Sequence, residues 1–192
     1  AVEPTPTPNL EAAYLDGLTE ILEVLDQSFQ RFDELMAPTF PGFAPDEVQA
    51  RVLFMALEEV KISETIAGRL RMLEKLTPTK RFASDHATFL RLLRKQITVA
   101  VAVDDAIQRR DLPHVHLARA ELQAASLVSR IAVSPEFCKS ITPETATRGG
   151  GGRPSFDLRK LFCSDEPIPG GDYGATINRL AQTFIAEFRP LG

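Results

Sequence analysis

Two polar residues interrupt the most regular apolar stripe in this chain. Between Thr77 and Arg110, Phe82, His86, Phe89, Leu93, Ile97, Ala100, Asp104 and Ile107 recur at steps of three and four. That spacing places side chains on one face of a helix. A histidine and a carboxylate on such a face are the raw material of acid–base or metal chemistry. Here they would stand about 27 Å apart along the axis, too far to act on one group. Asp104 is therefore expected to serve architecture, and His86 to be a half-buried histidine with a backbone partner. Glu59 lies on the stripe of the preceding segment and poses the same question. A carboxylate among apolar side chains is costly unless it finds a cation. Folding the chain back at the Leu76–Pro78 turn predicts buried charge pairs of Asp104 with Arg51 and of Glu59 with Lys95. The competing reading makes Glu59, Lys95 and Asp104 the lining of an internal ligand or metal site.

Asp111, His114 and His116 form Asp-x-x-His-x-His. These ligand types suit zinc or copper in an extended segment, but on a helix residues two apart point about 200° apart and cannot share an ion. They are expected to flank a helix start. Arg69, Arg71, Lys75, Lys80 and Arg81 crowd around one turn against Glu74 alone. Such a basic tip suits an anionic polymer or lipid surface, or is simply a solvated helix end. Arg148 and Arg153 bracket four glycines, which reads as a mobile loop rather than an anion cradle. The chain has no Glu-x-x-His, Cys-x-x-Cys, phosphate-binding glycine loop or Gly-x-Ser-x-Gly elbow, so no catalytic constellation and no cofactor is expected.

The elements that must position these residues read as all-α. Helices are expected at about 9–37, 45–76, 78–110 and 112–133, joined by short connections, which predicts an antiparallel up-down-up-down four-helix bundle. The first carries Tyr14, Leu18, Ile21, Leu25, Phe29, Phe32 and Met36 inward, the second Val48, Val52, Met55, Ile62, Ile66, Leu70 and Leu73. The fourth carries Leu117, Ala120, Ala124, Leu127, Val128 and Ile131 inward, with Val115 and Leu122 on another side. Phe40 and Phe43 are expected to plug the end of the core. Asn9, Thr77, Asp111 and Ser134 are the expected caps, and Pro45-Asp46-Glu47 opens the second helix. Residues 134–172 are loop-rich, with a helical turn at Phe156–Cys163, and a fifth amphipathic helix covers about 173–188. Residues 9–192 thus form a single domain.

Ala1–Asn9 is a Pro/Thr-rich stretch without an initiator Met. This composition predicts an extended tether over 1–8, left after removal of a signal peptide or ending a lipid-anchor segment in the precursor. Cys138 and Cys163, the only cysteines, are expected to form a structural disulfide in an oxidising, extracytoplasmic setting. Net charge is −4 with 25% charged residues, which argues against nucleic acid as a partner. No apolar run approaches the roughly 18 residues of a transmembrane helix.

Leu76-Thr77-Pro78, then Asp85-His86, Asp111 at the next helix start, and Phe137-Cys138 after it resemble exported helical-bundle proteins and lipoproteins of bacteria to which no activity is attached. The resemblance covers about Leu70 to Cys138. It implies a helical bundle located in the bacterial envelope and carries over no functional residues. The expected function is a non-enzymatic binding or structural module with an unknown protein or envelope partner. The alternative is a small-ligand or metal-binding bundle with a polar interior site.

Overall fold

One helix touches most of the others. α4 (Ala83–Gln108) packs along α3 (Ile62–Lys75) and α5 (Leu112–Ala132), and along the shorter α2 (Glu47–Glu58). α1 (Leu10–Met36) lies against α3 and α2, and α6 (Pro135–Ser140) comes after α5. The structure, a computed structural model, describes residues 10–40, 42–132, 134–141, 147–148, 156–157, 163 and 179–183. Among them the fold is helical apart from a two-residue ladder, in which Thr147–Arg148 pairs antiparallel with Phe156–Asp157. Phe156–Asp157 is thus strand rather than the expected helical turn. The tether, Asn9, Arg153 and most of 142–178 lie outside the described residues. Within the expected last helix, residues 179–183 are helical and Ala181 is buried.

α4 follows its stripe. Phe82, His86, Phe89, Leu93, Ala100 and Ile107 are all buried, beside Asp85, Leu92, Gln96, Val99 and Val103. α1 likewise buries Tyr14, Leu18, Ile21, Leu25, Phe32 and Met36. Each buried Leu, Ile or Phe contributes roughly 1.5–3 kcal/mol of transfer free energy, which secures the elements that carry the polar residues. Asp46 caps α2 through a capping box with Gln49, Asp111 Oδ1 accepts from the His114 N–H at the start of α5, and Ser134 caps α6.

Several expectations change. The helix expected over 45–76 is two helices. Lys61 adopts a left-handed backbone, φ 50°, and separates α2 from α3. The break takes Val48, Val52 and Met55 out of phase with Ile62 and Ile66. α2 buries Phe54 and Leu57 instead, and Val48, Val52 and Met55 are exposed at 72%, 63% and 56%. Thr77-Pro78 does not open α4. Leu76 and Thr79 are extended, and a 3-10 turn over Lys80–Phe82 precedes the helix.

The long linker shifts the register. Ser63 faces Asp104 and Glu74 faces Arg94, so α3 and α4 are antiparallel with α4 running on past the end of α3. The overhang is about ten residues, roughly 15 Å. Gly17 of α1 sits against the linker. A Cβ there would lie 2.8 Å from Leu76 Cδ1, so only glycine admits this approach without a shift. On α5, Leu117 is exposed rather than inward, while Val115, Ala118 and Leu122 join the core. His116, Ala120 and Ala124 are also buried, so α5 is covered on two sides. The side chains of Leu127, Val128 and Ile131 lie outside the described residues. Phe43 packs on the core and meets Phe40 at 5.4 Å, but Phe40 itself stays exposed.

Candidate functional site

Two polar contacts tie α4 to other helix starts, one near each of its ends, while Gln96 is buried between them and Thr19 and His116 are buried on α1 and α5. At the overhanging end Asp85 is 3% exposed. Its carboxylate accepts from the Ser134 N–H at 2.8 Å and from the Ser134 hydroxyl at 3.0 Å. Ser134 Oγ in turn accepts from the Phe137 N–H at 3.1 Å, closing the cap of α6. A buried carboxylate thus holds a helix cap from another element. Charge-assisted bonds of this kind are about twice as strong as neutral ones.

Beside Asp85, the Tyr14 hydroxyl lies 3.3 Å from His86 Nδ1. Burial, and then the negative charge of Asp85, push the Tyr14 phenol above its usual range. Burial pushes the His86 imidazole below its usual value. Tyr14 is therefore protonated and His86 neutral at neutral pH. The hydroxyl and Nδ1 share one hydrogen bond, donated by whichever of the two carries the proton in the imidazole tautomer present. His86 thus has a side-chain partner on α1 instead of the expected backbone one. Around this pair runs an aromatic chain. Tyr14 stacks on Phe82 at 5.5 Å, Phe82 meets Phe137 edge-on at 5.7 Å, and Phe137 meets Phe89 at 5.5 Å.

At the other end, Asp104 accepts from the Ser63 N–H at 3.2 Å and from the Ser63 hydroxyl. Lys61, the residue before α3, makes no side-chain cap, so Asp104 satisfies a free N–H of the first turn from across the helix pair. This corrects the expected Asp104–Arg51 pair. Arg51 is exposed on α2, which the break at Lys61 carries out of that register. Glu59 is likewise not buried against Lys95. It ends α2 at the surface and pairs with Arg31 of α1 at 3.5 Å, both side chains well exposed. A surface depression of about 380 Å³ beside Asp104 is lined by Glu58, Lys61, Glu64, Ile107 and Gln108.

Asp111 and His114 come together, with Oδ2 and Nδ1 2.6 Å apart. His116 does not join them. It is 7% exposed, its Nε2 has no hydrogen-bond partner, and burial and then the charge of Arg119 lower its pKa. The helix sends the two histidines to different sides, as the 200° separation requires. Among the described residues no group of three or more His, Cys, Asp or Glu side chains is arranged to hold a metal.

The basic residues do not share one tip. Arg71 and Lys75 stand near the end of α3, while Lys80 and Arg81 stand at the start of α4, past the overhang. Arg81 pairs with Glu11 at 3.5 Å and covers the Phe82 ring. Cys138 and Cys163 form a disulfide with Cα atoms 5.8 Å apart, which points to an oxidising environment. No helix among the described residues is long and apolar enough to cross a membrane.

Sequence reasoning missed Ser63, Asp85 and Ser134 as a set of trans-acting caps. Ser134-Pro135 is legible as a helix start, but nothing local names Asp85 as its acceptor. Nor does the pattern single out Tyr14, which is one of nine buried positions on α1. No family model matches the chain, and neither a curated protein nor a solved structure matches it.

Proposed function

We propose that this chain is an extracytoplasmic, non-enzymatic helical-bundle protein that serves as a binding or structural module of the bacterial envelope. Its four long segments, α1, α2–α3, α4 and α5, are the frame. The observation that carries the reading is the use made of the interior carboxylates. Asp85 and Asp104 are each occupied by the N–H and hydroxyl of one serine, and each holds a helix start. Groups engaged in this way fix the architecture and do not meet a substrate. The disulfide supports an oxidising location. The second reading, a small-ligand site, has the depression beside Asp104 behind it, although its carboxylate is already bonded to Ser63.

The location is tested by expressing the complete reading frame in a bacterial host and fractionating the cells. The expected outcome is envelope or secreted protein whose non-reduced mass shows no free thiol. Cytoplasmic protein with two free thiols contradicts the reading. Calorimetric titration with divalent metals and a small-molecule panel separates the two readings, and saturable heat abolished by Asp104→Asn supports the second.

A further inference from the structure

The residues 69–81 carry five cations and one carboxylate, a net +4, in a chain whose total is −4. The remaining residues therefore carry −8. Among the described residues, Arg71, Lys75 and Lys80 are exposed and have no ion pair, while Glu74 is already taken by Arg94 at 3.0 Å. Arg69 directs Nη1 to Met72 Sδ at 3.0 Å rather than to a carboxylate, and its Nε is buried without a partner.

We propose that this edge docks on an anionic phospholipid surface. Three observations select that partner. The cations form two groups separated by the overhang of α4, about 15 Å. A single small anion cannot reach both, whereas a plane of headgroups can. Exposed apolar side chains flank both groups. Met72 is 37% exposed beside Arg69, and Leu10 is 68% exposed next to Glu11, the partner of Arg81. Cations among apolar side chains suit the bilayer interface, where the charges meet headgroups and the apolar groups enter below them. The acidic remainder would repel a long polyanion that wrapped the chain, but a flat surface meets one edge only. The proposal adds a partner class to the envelope role without depending on it, because purified protein and vesicles test it regardless of compartment.

The experiment is co-sedimentation with vesicles of phosphatidylcholine alone or of phosphatidylcholine mixed equally with phosphatidylglycerol. Wild-type protein is expected to bind the anionic vesicles and not the zwitterionic ones. Binding should fall as salt shortens the screening length from about 10 Å at 0.1 M to about 3 Å at 1 M. Each basic side chain at the surface is worth about fivefold in partitioning, so Arg71→Gln/Lys75→Gln/Lys80→Gln should partition about 100-fold less. A control pair at the other end of α4, Lys61→Gln/Arg109→Gln, should change it less than about threefold. All three replaced side chains are exposed, so the triple variant should match the wild-type circular dichroism and melting curve. Equal wild-type binding to both vesicle types overturns the proposal, as does wild-type partitioning by the triple variant. Retention on heparin without vesicle binding also overturns it and assigns the edge to a soluble polyanion.

Discussion

The two ends of α4 use one device in different surroundings. In each, an aspartate on α4 accepts both the N–H and the hydroxyl of a serine at the start of another helix. At the Asp85 end the aspartate is 3% exposed, and the neighbouring elements carry the linked rings of Tyr14, Phe82, Phe137 and Phe89. At the Asp104 end the carboxylate is half-buried and borders an open depression. Water can replace a lost bond in the second setting but not in the first. The same contact should therefore differ severalfold in energetic weight, since the cost of an unpaired buried donor scales with its isolation from solvent. The dry end locks α6 and, through the Cys138–Cys163 bond, a second point of the chain. The wet end holds the start of α3 against α4.

The largest effect should come from breaking the linked rings. Phe137→Ala removes a fully buried ring that joins Phe82 and Phe89 and should cost about 3–5 kcal/mol in urea unfolding. Next comes the contrast itself. Asp85→Ala should cost about 2–3 kcal/mol and Asp104→Ala about 1 kcal/mol. Equal costs would break the distinction between the ends. The alkaline limit, and part of the acid one, should also map to the dry end. His86 is held by burial below its ordinary 6.5, so below about pH 6.5 the unfolded chain binds more protons than the folded one and stability falls. His116 adds the same sign. Tyr14 is held by burial, then by Asp85, above its ordinary 10.0, so stability also falls as pH rises past 10. Melting curves across pH should show both slopes, with the acid one shallower in His86→Gln. The smallest effect belongs to the wet end. Lys61→Gly relieves a left-handed backbone and should stabilise by about 0.5–1 kcal/mol, because the ion pair it gives up with Glu64 at 3.5 Å is exposed and weak.

Much of the fold is legible in the sequence because it rests on periodicity and caps. The α4 stripe, the α1 stripe, the caps at Asp111 and Ser134 and the cysteine pair are all local or nearly local signals. The break between α2 and α3 is not. Residues 57–63 contain neither proline nor glycine, and the phase of Val48, Val52 and Met55 runs smoothly into Ile62. What ends the helix there is tertiary. Asp104 supplies the cap that the local sequence lacks, and a second apolar arc with Phe54 and Leu57 competes for the core. At the start of α4 the Thr-Pro pair marks a helix start, but the helix begins only after the turn at Lys80–Phe82, and the longer linker moves the expected partners across α3 and α4. Arg51 and Lys95 are the partners that the simple fold-back gives to Asp104 and Glu59, whereas the structure offers Ser63 and Arg31. A site built from side chains on separate elements inherits each error in register.

The claim that Asp85 acts by holding Ser134 is tested most directly by a double-mutant cycle in urea unfolding, with Asp85→Ala, Ser134→Ala and both together. A coupling of about 1–2 kcal/mol is expected, because loss of Ser134 strands a carboxylate that is 3% exposed. Additive costs, with coupling below about 0.3 kcal/mol, would contradict it and leave Asp85 free for some other role.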